Sequence, residues 1–270
     1  MPRVMRIEDE FAEDVEAPPA TPAATVVIFR RDPAGGAPHL LMVERSASMN
    51  FAGGAAVFPG GRVDDADREL AATLVEGDEE TLADCAARIA AVRETIEETG
   101  LVVGIANPVS HDEALAARDF LCEQGALAAV LERHGWMLDL SRLTYFARWR
   151  PKHRHMRVFD TRFFLADVGT GAVDLLVDAT ENTHLFWASA EEALRLADAG
   201  QIKIIFPTRR NLERLAQFAS FAEARAQAEA IPARMITPFI EQREGGQWLC
   251  IPRDAGYPVD GEALESAARG

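Results

Sequence analysis

Cysteine is scarce in this chain: only Cys85, Cys122 and Cys250 are present, with no CxxC pair among them. An odd count without paired spacing excludes a disulfide framework and a cysteine-built zinc site, and it suits a reducing, cytoplasmic compartment. Basic residues are also in deficit. Against 43 aspartates and glutamates stand 28 lysines and arginines, a formal charge of −15 that repels a phosphate backbone or an anionic bilayer. Nucleic acid and membrane are therefore not expected as partners. Long apolar runs are missing too: no stretch approaches the roughly 20 residues of a membrane span. The acidic start, with Glu8, Asp9, Glu10, Glu13, Asp14 and Glu16, lacks the apolar core of a secretion signal. No internal repeat is visible.

What is present is enough to build a core, since 48% of the 270 residues are hydrophobic. Residues 1–23 end in Pro18, Pro19 and Pro22 and read as a flexible acidic arm. One domain is expected over 24–252, with a tail over 253–270. Thr25–Phe29 and His39–Val43 are runs rich in Val, Ile and Leu around a Pro/Gly turn, a hairpin pattern. A third strand over Ala55–Phe58 enters Pro59, Gly60 and Gly61. The segment from about 64 to 80 has no clean period and reads as an irregular insertion.

A helix then runs from Thr81, its expected N-cap, through Glu98 to a C-cap at Gly100. Leu101–Gly104 reads as a strand, and residues from about 108 to 140 as an added helical insertion. Antiparallel strands follow at Leu143–Trp149 and Val158–Ala166, then a short one at Leu185–Trp187. Helices over Ala190–Ala199 and Arg209–Ala228 precede a terminal hairpin of Met235–Ile240 and Trp248–Ile251.

The chemistry concentrates in Arg93, Glu94, Thr95, Ile96, Glu97, Glu98, Thr99, Gly100 and Leu101. At about 100° per residue, Glu94, Glu97 and Glu98 share one face of the helix while Cys85, Ile89, Val92 and Ile96 lie opposite. Three carboxylates at i, i+3 and i+4 repel one another, and a divalent cation removes that penalty. Hard oxygen donors suit magnesium or manganese, which carboxylates share with substrate phosphates. Arg93, four residues before Glu97, can orient it. Three glutamates alone are more often an ordinary solvated face. The Gly60–Gly61 turn upstream tips the balance, because glycine lets backbone approach a metal or a phosphate.

RETIEETGL, together with the FPGG before it, resembles the Nudix box. The resemblance implies a Nudix-type α/β/α sandwich, an α/β (α+β) fold with a mixed sheet and an added helical insertion. It also implies a metal-dependent diphosphate hydrolase. In it Glu94, Glu97 and Glu98 hold Mg2+ or Mn2+ or position the attacking water, and Gly61 offers a carbonyl. Gly61 lies 32 residues before Arg93, about 18 more than the family spacing, so the box carries an insertion. Counted back from the arginine, its middle glutamate falls on Cys85, leaving Asp84 or Glu80 as substitutes.

A long insertion at this point is similar to the peroxisomal coenzyme A diphosphatases. Arg45, Ser46, Gly54 and Phe58–Gly61 match the RS…G…FPGG pattern of coenzyme A pyrophosphatases, with Met49 and Asn50 in place of its LR pair. FDTRFF at Phe159–Phe164 and FPT at Phe206–Thr208 are also similar to that branch. Coenzyme A or an acyl derivative is therefore the first substrate expected. ADP-ribose, NADH or a nucleotide sugar is the alternative, and a Nudix-fold ligand sensor without turnover is a second.

Several further residues are candidates for the site. Glu181 stands six residues before Trp187, where related enzymes supply another carboxylate from a separate loop; an exposed loop acid is as good a reading. Arg45, Gly60 and Arg157, the last within the basic run Lys152, His153, Arg154 and His155, are candidates for holding the substrate. The run also reads as a solvated hairpin tip. Ser46 has no His and acid partners at recognisable spacing, so serine nucleophile chemistry is not supported. The partner expected is a small nucleotide-like molecule, and a homodimer is one state the sequence allows.

Overall fold

The computed structural model describes residues 19–32, 35–46, 52–151, 158–169 and 182–267. Strand β1 (Thr21–Arg30) and strand β2 (His39–Arg45) form the expected antiparallel hairpin, with Phe29 opposite Leu40. The fold begins at Thr21 rather than Thr25. Thr21 to Ala24 pair in parallel with β6 (Phe159–Asp167), and Ala23 and Ala24 also pair with β4 (Gly60–Arg62), so the end of the expected arm is a central strand. Strand β3 (Ala56–Val57) lies beside β2.

Strand β5 (Thr144–Trp149) is antiparallel to β6, and β7 (Asn182–Ser189) is antiparallel to β2, as their alternation suggests. With β8 (Met235–Ile236) parallel to β5, the result is one mixed eight-stranded sheet. The two-residue period divides its side chains between two cores. Ala24, Val26, Ile28, Leu41, Val43 and Phe164 face one helical layer. Val27, Phe29, Leu40, Met42 and Leu165 face the other. This is the three-layer α/β/α sandwich.

The stretch expected to be irregular holds a helix, α1 (Asp65–Leu74), and the first turn of α2 (Glu79–Thr99). Asp78, not Thr81, caps α2: its carboxylate accepts the Thr81 N–H at 2.9 Å. Gly100 ends the helix in the left-handed region at φ 72°, its N–H donating to the Ile96 carbonyl. Cys85, Ile89, Val92 and Ile96 are buried, and each large apolar side chain so placed stabilises by about 1.5–3 kcal/mol.

Leu101–Gly104 is not a strand. Gly104 turns at φ 67° against Val92, and Leu101 and Val103 bury themselves as loop residues, so apolarity alone misreads the segment. Helices α3 (His111–Gln124) and α4 (Leu127–His134) fill the stretch expected to be helical.

On the other face α5 (Ala190–Asp198) is followed by two helices where one was expected, α6 (Phe206–Leu215) and α7 (Phe221–Ala230). Ser220 accepts the Glu223 N–H and so starts α7 afresh. The terminal hairpin is β9 (Phe239–Arg243) with β10 (Gly246–Cys250); Met235 and Ile236 belong to the main sheet instead. The expected tail is folded. Strand β11 (Gly261–Ala263) pairs with β10, α8 (Leu264–Ala267) follows, and buried Tyr257 takes the Trp149 Nε1–H at 3.0 Å while donating to Asn211 at 2.7 Å. Among the described residues no helix is long and apolar enough to cross a membrane.

Candidate active site

Strand β4 carries Gly60 and Gly61 under the C-terminal half of α2. The approach is closer than any side chain allows. At φ 153° Gly60 has no room for a Cβ beside the Ala24 carbonyl, and a Cβ on Gly61 would overlap the Glu94 carboxylate. The Gly60 N–H donates to Glu98 Oε2 at 2.8 Å. The glycine turn and the acidic face read from the sequence are thus brought together.

Arg93 is the hub of the acidic face. Its side chain is 4% exposed, and its guanidinium donates to Glu94 Oε1 and Glu97 Oε2, both at 2.9 Å, and to the Arg62 carbonyl at 2.8 Å. Asp67, 1% exposed, takes the remaining donors at 2.9 to 3.3 Å. Burial by itself would lower the arginine's pKa, but the Asp67 hydrogen bonds and the Glu94 and Glu97 charges raise it, so Arg93 stays a cation. It touches carboxylates and backbone and so serves as a positioning residue.

Asp67 corrects the expectation for the middle box acid. Asp84 pairs with Arg88, and Glu80 pairs with Arg148 and Arg162, so neither reaches Arg93. Counting forward from Gly61 instead of back from Arg93 places the family's acid six residues on, at Asp67. The insertion therefore follows the acid. The capping spacing of Asp64 and Asp67 was the available signal: Asp67 Oδ2 accepts the Asp64 N–H at 2.9 Å.

The charge left over is negative. Arg93 lies within 3.6 Å of Asp64 and 2.9 Å of Asp67, Glu94 and Glu97, and the further cation near Asp64 is Arg62 at 3.9 Å. Burial, with the Glu98 and Glu97 charges, pushes Glu94 up to about 8 against the pull of Arg93. Burial likewise raises Glu97, with Asp67 and Asp64 adding to it. Among the described residues no three acidic, histidine or cysteine side chains converge into a finished cage. Magnesium, where it binds, keeps several waters and takes only one or two protein carboxylates beside substrate phosphates. An underneutralised set of hard oxygens beside a glycine turn fits such an ion.

Of the remaining candidates, Arg45 ends β2 at the same end of the sheet as Gly60 and Gly61, and its Nε is buried without a hydrogen-bond partner among the described residues. Glu181 and Arg157, like Lys152, His153, Arg154 and His155, lie outside the described residues.

No family model and no curated protein sequence matches the chain. Solved structures do. A crystal structure of a Nudix hydrolase from Alicyclobacillus acidocaldarius is 29% identical, covers 77% of this chain and 96% of its own, and superposes with a TM-score of 0.63. Weaker likenesses include a MutT protein from Methanosarcina mazei Go1 at 15% identity and TM-score 0.40, over 74% of this chain and 94% of that one. A MutT Nudix hydrolase from Burkholderia pseudomallei is 16% identical with TM-score 0.40, over 73% and 98%. The three-layer fold, the box helix seated on its glycine turn and the likeness to the Alicyclobacillus enzyme together support a Nudix hydrolase.

Proposed function

We propose that the chain hydrolyses the diphosphate linkage of a nucleoside diphosphate derivative, with coenzyme A or an acyl-coenzyme A as first substrate. The observation that carries this reading is the docking of Glu94 and Glu98 on the Gly60–Gly61 turn, with Arg93 holding Glu94 and Glu97 from the other side. Glu94, Glu97 and Glu98, with the Gly61 carbonyl, would hold Mg2+ or Mn2+, and Glu181 is the candidate for a further carboxylate. Such an ion, when bound, lowers the pKa of water and stabilises charge developing on phosphate oxygens.

The chain's own residues do the rest. Arg93 fixes Glu97 and Glu94 against their mutual repulsion, and Glu94, held between the Arg93 guanidinium and the Gly61 backbone, is suited by position to accept a proton from the attacking water. Arg45, presenting a buried Nε at that end of the sheet, is suited to hold a substrate phosphate, with the Gly60 backbone and Arg157 as further substrate contacts. The coenzyme A preference rests on the RS…G…FPGG resemblance.

The test is a substrate panel of coenzyme A, acyl-coenzyme A, ADP-ribose, NADH and dinucleoside polyphosphates with magnesium or manganese, comparing the wild type with Glu97→Gln. Release of adenosine 3′,5′-bisphosphate from coenzyme A, lost in the variant, is the expected result. Turnover of ADP-ribose or NADH in preference would overturn the substrate, and unchanged turnover in Glu97→Gln would overturn the metal site. No turnover of any compound would make the chain a ligand sensor.

A further inference from the structure

The row of the sheet that carries Gly61 also carries two arginines. Strand register aligns Gly61 of β4, Ala24 of β1, Arg162 of β6 and Arg148 of β5. At about 4.8 Å per strand, the Arg162 and Arg148 backbones stand about 10 and 14 Å from Gly61. Phe164, two residues beyond Arg162, packs in the α2 core, so Arg162 faces the same side as the box glutamates.

Arg162 is almost fully buried at 3% side-chain exposure, and its Nε has no hydrogen-bond partner among the described residues. Its Nη2 donates to Glu80 Oε1 at 2.7 Å. Arg148 grips Asp160 through Nε and Nη2, both at 2.8 Å, which turns its Nη1 onto the same Glu80 oxygen at 2.9 Å. Two guanidiniums therefore converge on one oxygen. The carboxylate that owns it is 61% exposed, on the first turn of α2. Buried Asp160 lies near Arg162 as well, but the carboxylate that its guanidinium contacts directly is one that solvent can replace.

We infer that Arg148 and Arg162 form an anion subsite for a phosphomonoester of the substrate, distinct from the scissile diphosphate, and that Glu80 fills it when substrate is absent. This rests on the nucleotide-diphosphate reading above. A phosphomonoester carries more charge than a carboxylate and offers three acceptor oxygens, enough for the converging Nη groups and the unused Nε. The competing account is a structural pin that holds the first turn of α2 to β5 and β6.

The two accounts separate in metal-free calorimetric titration with adenosine 3′,5′-bisphosphate and adenosine 5′-monophosphate, neither of which contains a diphosphate. The subsite requires the bisphosphate to bind about tenfold more tightly, in keeping with a charge-assisted pair. Glu80→Gln should widen that gap. Arg148→Lys, which keeps the charge but loses the fork, should narrow it with the protein still folded. Equal binding of the two nucleotides by the wild type overturns the subsite. So does a Glu80→Gln variant that melts lower while its binding preference is unchanged. Failure of diphosphate turnover with the bisphosphate preference intact would remove the substrate reading alone; turnover without that preference would remove the subsite alone.

Discussion

Removing the Asp67 carboxylate should unsettle the molecule more than any single change on its surface. Asp67 and Arg93 are both almost fully buried, and three donor contacts at 2.9 to 3.3 Å join them. Deleting one partner of a buried pair costs about 3–5 kcal/mol, because the survivor stays charged and desolvated. Arg93 keeps Glu94, Glu97 and the Arg62 carbonyl, so Asp67→Ala belongs near the lower end, about 3 kcal/mol. For a chain of this length that is roughly 6–12 °C in Tm. Urea unfolding at neutral pH with a chelator present measures the free energy, and a thermal scan checks the shift. With its second anchor gone, Arg93 holds Glu94 and Glu97 more tightly, so turnover should require more magnesium. A loss below 1 kcal/mol, with magnesium dependence unchanged, would refute the assignment of Asp67 as the acid that fixes Arg93.

Four further outcomes follow from the same geometry. Gly61→Ala forces a Cβ into the Glu94 carboxylate and should lower turnover at least tenfold, whereas Gly54→Ala, in open space at φ 74°, should cost only about 1 kcal/mol of stability; steady-state kinetics and melting curves compare the pair. Glu97→Gln removes a carboxylate whose side chain is 21% exposed; a melting temperature within a few degrees of wild type, with turnover lost about a hundredfold, separates a functional role from a structural one. For Glu94 the fold favours the neutral acid, since its pKa rises from 4.5 to about 8. Its contribution is therefore complete below 4.5 and lost as pH climbs to 8, so in chelator the wild type should lose stability relative to Glu94→Gln across that window, by at most about 5 kcal/mol; a difference independent of pH would contradict the shift. Tyr257→Phe strands the buried Trp149 N–H and should cost about 1–3 kcal/mol, read by denaturant unfolding.

The sheet and the box helix were legible because their signals are local. Two-residue alternation in β1, β2, β5 and β6, and the Gly100 stop of α2, need nothing from distant parts of the chain. The acidic face was legible for the same reason. What failed depends on contacts that spacing does not encode. Leu101 and Val103 are apolar because α2 and its neighbours bury them, which looks like a strand in a one-dimensional reading. The Ser220 cap between α6 and α7 and the Asp64–Asp67 spacing at α1 were readable but outweighed by composition. The end of the chain misled because its polar residues fold against buried Arg210: Gly261 and Glu262 receive its guanidinium at 3.2 and 3.1 Å.

The 26 residues that separate Asp67 from Arg93 change what length means for this protein. Loop closure grows only with the logarithm of the chain enclosed. Stretching the link from about 8 residues to 26 therefore costs about 1 kcal/mol of entropy, less than the about 3 kcal/mol lost when one partner of the pair is deleted. A motif broken along the backbone is whole in space. The connection between the two helices, from Val75 to Gly77, is thus a place where insertions and deletions are thermodynamically cheap, provided that the aspartate and the arginine still meet.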